Sequence, residues 1–305
     1  MRFKVLKLSL LAITLSIIAT PALAAGKVQT EKYPITVKSG GFTTTLTNEP
    51  KRIISLSPTA TEILFAIGAG KQVLAVDDLS NYPSIAPISK LSAFTPNVEA
   101  IAAKKPDLVI LSADSTNSKS IKKSLELLKI PVLIEKAPNQ ISNAYSEIIA
   151  IGKATNKLSQ AVVVVTSMKT KIKAIVAKFA KKTPITFFHE LDNTLYSATS
   201  QTFIGHVYSD FNLQNIADKA QGADASGYPQ LSQEYLVTAN PQIIFLSDAQ
   251  YGESTTTVAA RAGWSEISAV KNNHVIALPA DIPSRWGPRL VDFYQIIANS
   301  IAKIS

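Results

Sequence analysis

The sequence predicts an α/β protein of two lobes, each carrying a mostly parallel sheet, joined by one long rigid helix. The first reason is a duplication. Glu99-Ala-Ile-Ala-Ala-Lys-Lys-Pro106-Asp-Leu-Val-Ile-Leu-Ser112 returns 135 positions later as Glu234-Tyr-Leu-Val-Thr-Ala-Asn-Pro241-Gln-Ile-Ile-Phe-Leu-Ser247. Each copy opens a short helix with Glu, stops at a proline that cannot continue it, and feeds an apolar run with the look of a buried parallel strand. A period this long marks two similar lobes rather than a solenoid, and two lobes imply a cleft. The second reason is an amphipathic segment near the middle of the chain. The third is that strand-helix alternation restarts after it, at Ile185-Thr-Phe-Phe188.

The elements follow in order. In residues 1–25, Arg2, Lys4 and Lys7 precede an apolar stretch from Leu8 to Ile18, and Pro21-Ala-Leu-Ala24 forms an A-x-A processing site. This is the pattern of a signal peptide cleaved after Ala24 or Ala25, which makes the mature protein exported, periplasmic or extracellular, and soluble. An uncleaved anchor is the alternative. The chain of 305 residues has no cysteine, which excludes disulfides, a thiol nucleophile, thiolate metal sites and a lipid anchor on cysteine. Its net charge of +9 becomes +6 once the three basic residues of the leader leave. The remaining positive charge is spread over lysine-rich helical faces such as Lys169 to Lys182 and is not gathered with aromatic residues, which argues against nucleic-acid binding.

Residues 26–49 form a polar N-terminal leader with one edge strand around Tyr33 to Val37. Residues 50–155 form the N-terminal lobe: Ile53 to Leu56, a helix from Thr61 to Ile67, Val73 to Val76, Leu108 to Leu111 and Val132 to Ile134. Thr59-Ala-Thr-Glu62 has the capping-box spacing at that first helix start. Residues 156–182 form the interlobe helix, with Leu158, Ala161, Val162, Val165, Met168, Ile172, Ile175, Val176 and Phe179 on one face. Some 26 residues of helix reach roughly 39 Å, about the width of a small domain. Residues 183–305 form the C-terminal lobe, with strands at Ile185 to Phe188, Ile243 to Leu246 and Val275 to Leu278, a helix from Thr202 towards Phe211, and a terminal helix from Leu290.

Hydroxyl residues cluster after the first strand of each lobe, in Ser57-Pro-Thr-Ala-Thr and Ser197-Ala-Thr-Ser-Gln-Thr. Such positions lie at the carboxyl ends of parallel strands, where α/β proteins bind ligands. Asp281, Arg285 and Trp286 occupy the loop after the last strand, within reach of the same cleft. No catalytic residue is assigned: G-x-S-x-G and phosphate-binding glycine loops are absent, and nothing in the spacing of Ser57, His189 and Asp192 supports a triad. A bare metal ion needs several ligands from both lobes, yet His189, His206 and His274 all fall in the second. A satisfied structural role suits His189 better than ligand contact, and the role of His206 stays open.

Several segments then carry a resemblance. Lys51-Arg-Ile-Ile-Ser-Leu-Ser-Pro-Thr-Ala-Thr-Glu-Ile-Leu, Ser80-Asn-Tyr82-Pro83, Asn97-Val-Glu99, Lys105-Pro-Asp-Leu-Val-Ile, Tyr228-Pro-Gln-Leu-Ser-Gln-Glu234 and Arg285-Trp-Gly-Pro-Arg289 resemble periplasmic substrate-binding proteins of cobalamin (vitamin B12) and ferric-siderophore ABC importers. The match runs from about Pro50 to the C-terminus in unbroken motif order. It implies two Rossmann-like lobes on a single helical backbone, no catalysis, no intrinsic cofactor and a monomer. It also implies a partner permease dimer and a bound small-molecule metal chelate, a corrinoid first and a ferric siderophore next. Haem, or an exported α/β hydrolase, is the alternative.

The resemblance assigns Glu99 and Glu234 to permease docking, one on each lobe. Paired carboxylates at fixed separation can meet a two-fold set of guanidinium groups. It assigns Thr59, Leu79, Tyr82, Phe94, Tyr196, Tyr228, Asp281, Arg285 and Trp286 to the ligand pocket, where aromatic faces cover a chelate and arginine meets its anionic groups. Leu79, Phe94 and Ser112 stand where cobalamin-binding members tend to carry Tyr or Trp, and Tyr228 replaces an expected Trp.

Overall fold

The computed structural model describes residues 31–220, 226–302 and 304; the leader expected at residues 1–25 lies outside them. The chain first forms a hairpin, β1 (Ile35–Ser39) and β2 (Phe42–Leu46), whose register pairs Ser39 with Phe42 around a turn at Gly40 and Gly41. The expected single edge strand is thus a two-stranded sheet. It packs against the first lobe, where the Thr44 hydroxyl donates to the Val132 carbonyl at 2.7 Å.

Then come β3 (Ile53–Leu56), α1 (Pro58–Ala66), β4 (Val73–Val76), α2 (Val98–Ala103), β5 (Leu108–Ser112), α3 (Ser118–Leu127), β6 (Val132–Glu135) and α4 (Ile141–Ala154). The strands make a fully parallel sheet in the order β4-β3-β5-β6. After α5 (Leu158–Phe179), the second lobe contains β7 (Ile185–Glu190), α6 (Phe203–Ser209), β8 (Leu213–Asn215), α7 (Gln233–Ala239), β9 (Ile243–Leu246), α8 (Thr255–Ala259), α9 (Ser268–Lys271), β10 (Val275–Ala277) and α10 (Leu290–Ile301). Its parallel sheet runs β10-β9-β7-β8. Read from β8, that order is the first lobe's connectivity repeated, with α7-β9 in the place of α2-β5. The duplicated segment of the sequence is therefore one structural unit used twice.

The interlobe helix spans 22 residues, shorter than the 26 expected, and buries Ala161, Val165, Met168 and Ile172. Val162, expected on the same face, is exposed. Asn156 turns the chain between α4 and α5 in the left-handed region, and no Cβ fits at Gly152, where one would stand 2.4 Å from that of Ala161. A single apolar cluster runs from Ile53 and Ile63 in the first lobe through α4 and α5 to Phe187, Tyr208 and Phe293 in the second. That shared core, rather than the linker helix alone, makes the two lobes one body.

Candidate ligand-binding cleft

The carboxyl ends of β3, β5 and β6 face the second lobe across a cleft. At the first of these, α1 starts with Ser57 as N-cap, accepting from the amide of Ala60 at 3.2 Å. Pro58 takes the first helical position because its fixed φ suits it and its missing N–H costs nothing there. The helix therefore begins earlier than expected, and the box between Thr59 and Glu62 does not form. Thr59 is buried in the first turn and lines the cleft. Glu62, also buried, accepts two N–H bonds from Arg289 of the second lobe, one of them at 2.9 Å from Nε. Burial pushes the Glu62 carboxyl up, against the pull of Arg289.

The cleft has two compartments. The larger, of about 480 Å³, lies between Asp114 and Ala137 to Asn139 on one lobe and Phe203, Gly227 and Tyr228 on the other. The smaller, of about 220 Å³, is lined by Thr59, Leu79, Phe94, Ser112, Glu135 and Arg285 among others. Asp114, Ser284 and Trp286 border both. Trp286 stands edge-on to Phe203, with ring centroids 6.3 Å apart, and its indole N–H donates to Glu135. The other Glu135 oxygen accepts from the Ser57 hydroxyl at 2.8 Å. Burial raises the Glu135 carboxyl to about 8, helped by the charge of Glu147, so it keeps its proton at neutral pH.

Five of the expected pocket residues border these compartments beside Trp286: Thr59, Leu79, Phe94, Tyr228 and Arg285. Asp281 sits one step back, bound to Arg285 at 3.2 Å and to the Asn81 amide at 2.7 Å across the lobes. Tyr82 lies elsewhere, in a groove of about 400 Å³ between α1 and the start of α10, with Arg289 stacked 4.4 Å from its ring centroid. Tyr196 pairs with Gln230 in an isolated bridge and borders neither compartment. Asp114 and Glu135 are cleft residues that sequence reading missed. An acid closing the apolar run Val132 to Ile134 is a signal for Glu135. Asp114 left only its position after the strand.

Glu99 and Glu234 occupy equivalent places. Each is exposed, second in its helix behind a side-chain N-cap, Asn97 or Ser232. Among the described residues neither makes an ion pair. Because α2 and α7 run antiparallel to the strands they feed, both N-termini lie at the carboxyl edges of the sheets, the side on which the cleft opens.

The remaining candidates separate. His189 is fully buried, with Nδ1 2.8 Å from the Tyr208 hydroxyl and Nε2 2.9 Å from the Ser247 hydroxyl. Burial holds its pKa at about 3, leaving it a neutral structural residue. Ser57 bonds to Glu135 of its own lobe, while His189 bonds Tyr208 and Ser247 in the second, so no triad assembles. Among the described residues no three His, Asp or Glu side chains could hold a metal ion, and no helix is long and apolar enough to cross a membrane.

Known proteins share this architecture. A lipoprotein of Bacillus subtilis strain 168, described as an uncharacterized ABC transporter substrate-binding protein, is 33% identical over 283 residues, covering 90% of this chain and 88% of its own. The vitamin B12-binding protein of Vibrio parahaemolyticus is 27% identical over 253 residues, covering 81% and 88%. Among solved structures, the periplasmic vitamin B12-binding protein of Vibrio cholerae aligns with a TM-score of 0.69 at 27% identity, over 83% of this chain and 97% of that one. A possible iron-binding periplasmic solute-binding protein of Staphylococcus epidermidis aligns at 0.73 with 26% identity, over 83% and 99%. The sequence pattern described as periplasmic binding protein matches residues 53–282. With two duplicated lobes, a cleft at their strand ends and that match, the chain belongs to the periplasmic binding protein family.

Proposed function

We propose that this chain is the extracytoplasmic substrate-binding component of an ABC importer, capturing a metal chelate between its lobes without chemistry and delivering it to a permease dimer. The observation that carries the reading is the cleft itself. It is open to solvent, lined by both lobes, and furnished with the aromatic side chains of Phe94, Phe203, Tyr228 and Trp286 around a few polar groups. The relatives named above support a corrinoid as first choice of cargo, with a ferric siderophore next and haem after it. No cofactor belongs to the protein; the metal arrives inside the cargo.

Glu99 and Glu234 act at the second step. Two exposed carboxylates on one rigid body present a fixed spacing to paired arginines, and charge-assisted bonds there give orientation as well as affinity. The shared core limits opening of the lobes to a modest hinge motion, so release falls to the permease, which pulls the docked lobes apart.

Isothermal titration of the mature protein with cyanocobalamin, ferric hydroxamates, ferric catecholates and haemin tests the reading. One-to-one saturable binding of a chelate is the expected result. Absence of heat and of saturation with every chelate overturns it.

A further inference from the structure

Resting on the reading of the cleft as a chelate site, we propose that Asp114 sets the charge of the cargo: the cleft takes a chelate that is neutral or cationic and rejects anionic ones. Asp114 follows β5, is exposed, and borders both compartments, so any ligand that spans the cleft passes it. Among the described residues its carboxylate makes no hydrogen bond or ion pair; only its backbone amide is engaged, with the Ser112 hydroxyl at 3.2 Å.

The positive charges nearby are spent. Arg285, the one basic side chain among the described residues that borders the two compartments, is 3.2 Å from Asp281 and 3.9 Å from Glu62. Glu62 also binds Arg289. Two arginines and two carboxylates thus form a closed set that sums to zero. What Arg285 still offers is a buried Nε–H without a hydrogen-bond partner, a donor suited to a carbonyl or amide oxygen. Glu135 contributes no charge at neutral pH, because burial keeps it protonated. Lys38 and Lys136 line a neighbouring hollow beside α4 and border neither compartment. Among the described residues Asp114 is then the one uncompensated charge of the cleft wall, in a setting that water only partly screens. A trianionic ferric tris-catecholate, or haem with its two propionates, meets repulsion. A corrinoid rich in amides, or a ferric trihydroxamate bearing an ammonium, meets an acceptor.

Charge-matched ligands test this on the full mature protein. Within the hydroxamates the pair is ferrioxamine B, a cation, and its neutral N-acetyl derivative. Within the corrinoids it is neutral cyanocobalamin and an anionic cobalamin monocarboxylate. Ferric enterobactin and haemin serve as anionic chelates. For whichever scaffold binds, the more positive member is expected to bind about tenfold tighter. That gap should shrink at higher salt, close in Asp114→Asn and reverse in Asp114→Lys. A wild-type protein that prefers the more negative member, or a gap that Asp114→Asn leaves unchanged, overturns the assignment of charge while leaving the chelate reading intact. Failure of every chelate to bind overturns both.

Discussion

Trp286 and Glu135, 151 residues apart, meet across the cleft, where an indole N–H of one lobe donates to a carboxyl that the other lobe buries completely. The bond fixes the ring that divides the two compartments. Trp286→Phe keeps the ring face and removes the donor, leaving a buried oxygen short of a partner. A loss of about 1–3 kcal/mol in unfolding free energy is expected, read by urea denaturation. Ligand affinity should fall further in Trp286→Ala than in Trp286→Phe, because only the former removes the aromatic surface.

A second interlobe contact is costlier to break from one side. Glu62 is nearly fully buried and takes both its bonds from Arg289. Arg289→Ala strands that carboxylate and should cost about 3–5 kcal/mol. The double variant Glu62→Met with Arg289→Leu should recover most of the loss, since two apolar groups of similar volume need no partners. Chemical denaturation of the two single variants and the double closes the cycle; an additive result would mean the pair does not couple.

Stability should fall as pH rises above neutrality. Burial raises Glu135 to about 8 and Glu147 to about 7, against an ordinary value of 4.5. Between pH 4.5 and those values the folded chain holds protons that the unfolded chain has released, so the folded state loses ground as pH climbs. His189 acts the other way: held at about 3 against an ordinary 6.5, it adds stability as pH rises through that window and nothing above it. From pH 6.5 to 8 the carboxyls dominate, with a slope of at most about 1.4 kcal/mol per pH unit for each group. Unfolding measured across that interval should decline, and Glu135→Gln should flatten the decline.

Charge reversal at both proposed docking positions, Glu99→Arg with Glu234→Arg, should abolish uptake through the cognate permease while leaving chelate affinity and thermal stability unchanged. Both carboxylates are exposed, so their replacement disturbs no core. Uptake of labelled chelate and titration of the same variant separate the two effects. A parallel loss of affinity would place these residues in the ligand site instead.

Much of this was legible in the chain. The duplicated Glu-to-Pro segments gave α2-β5 and α7-β9, because period-dependent burial writes apolar strands plainly into sequence. The interlobe helix was visible for the same reason. The hairpin before β3 was half seen: Thr43 and Thr45 face solvent while Thr44 between them is buried, and pairing across Gly40 and Gly41 depends on a tertiary partner, the edge of β6. The cleft was harder. Thr59, Tyr228, Arg285 and Trp286, chosen through loop position and resemblance, border the cleft, whereas Tyr82 and Tyr196, chosen the same way, lie outside its two compartments. Glu62 looked like half of a capping box until Pro58 shifted the helix start. Asp114 carries no local pattern at all; its meaning comes from the arginines being already paired, which only the assembled lobes reveal.

The central claim, capture of a metal chelate between the lobes, is tested most directly by the fluorescence of Trp286. Trp264 is fully buried in the second lobe, away from the cleft, and supplies an internal reference. Titrating wild-type protein and Trp286→Phe with cyanocobalamin and with ferric hydroxamates, corrected for ligand absorbance, should give saturable quenching in the wild type that is largely lost in the variant, although calorimetry still reports binding there. Equal quenching in both proteins would place the ligand away from Trp286, and no saturation with any chelate would contradict the account.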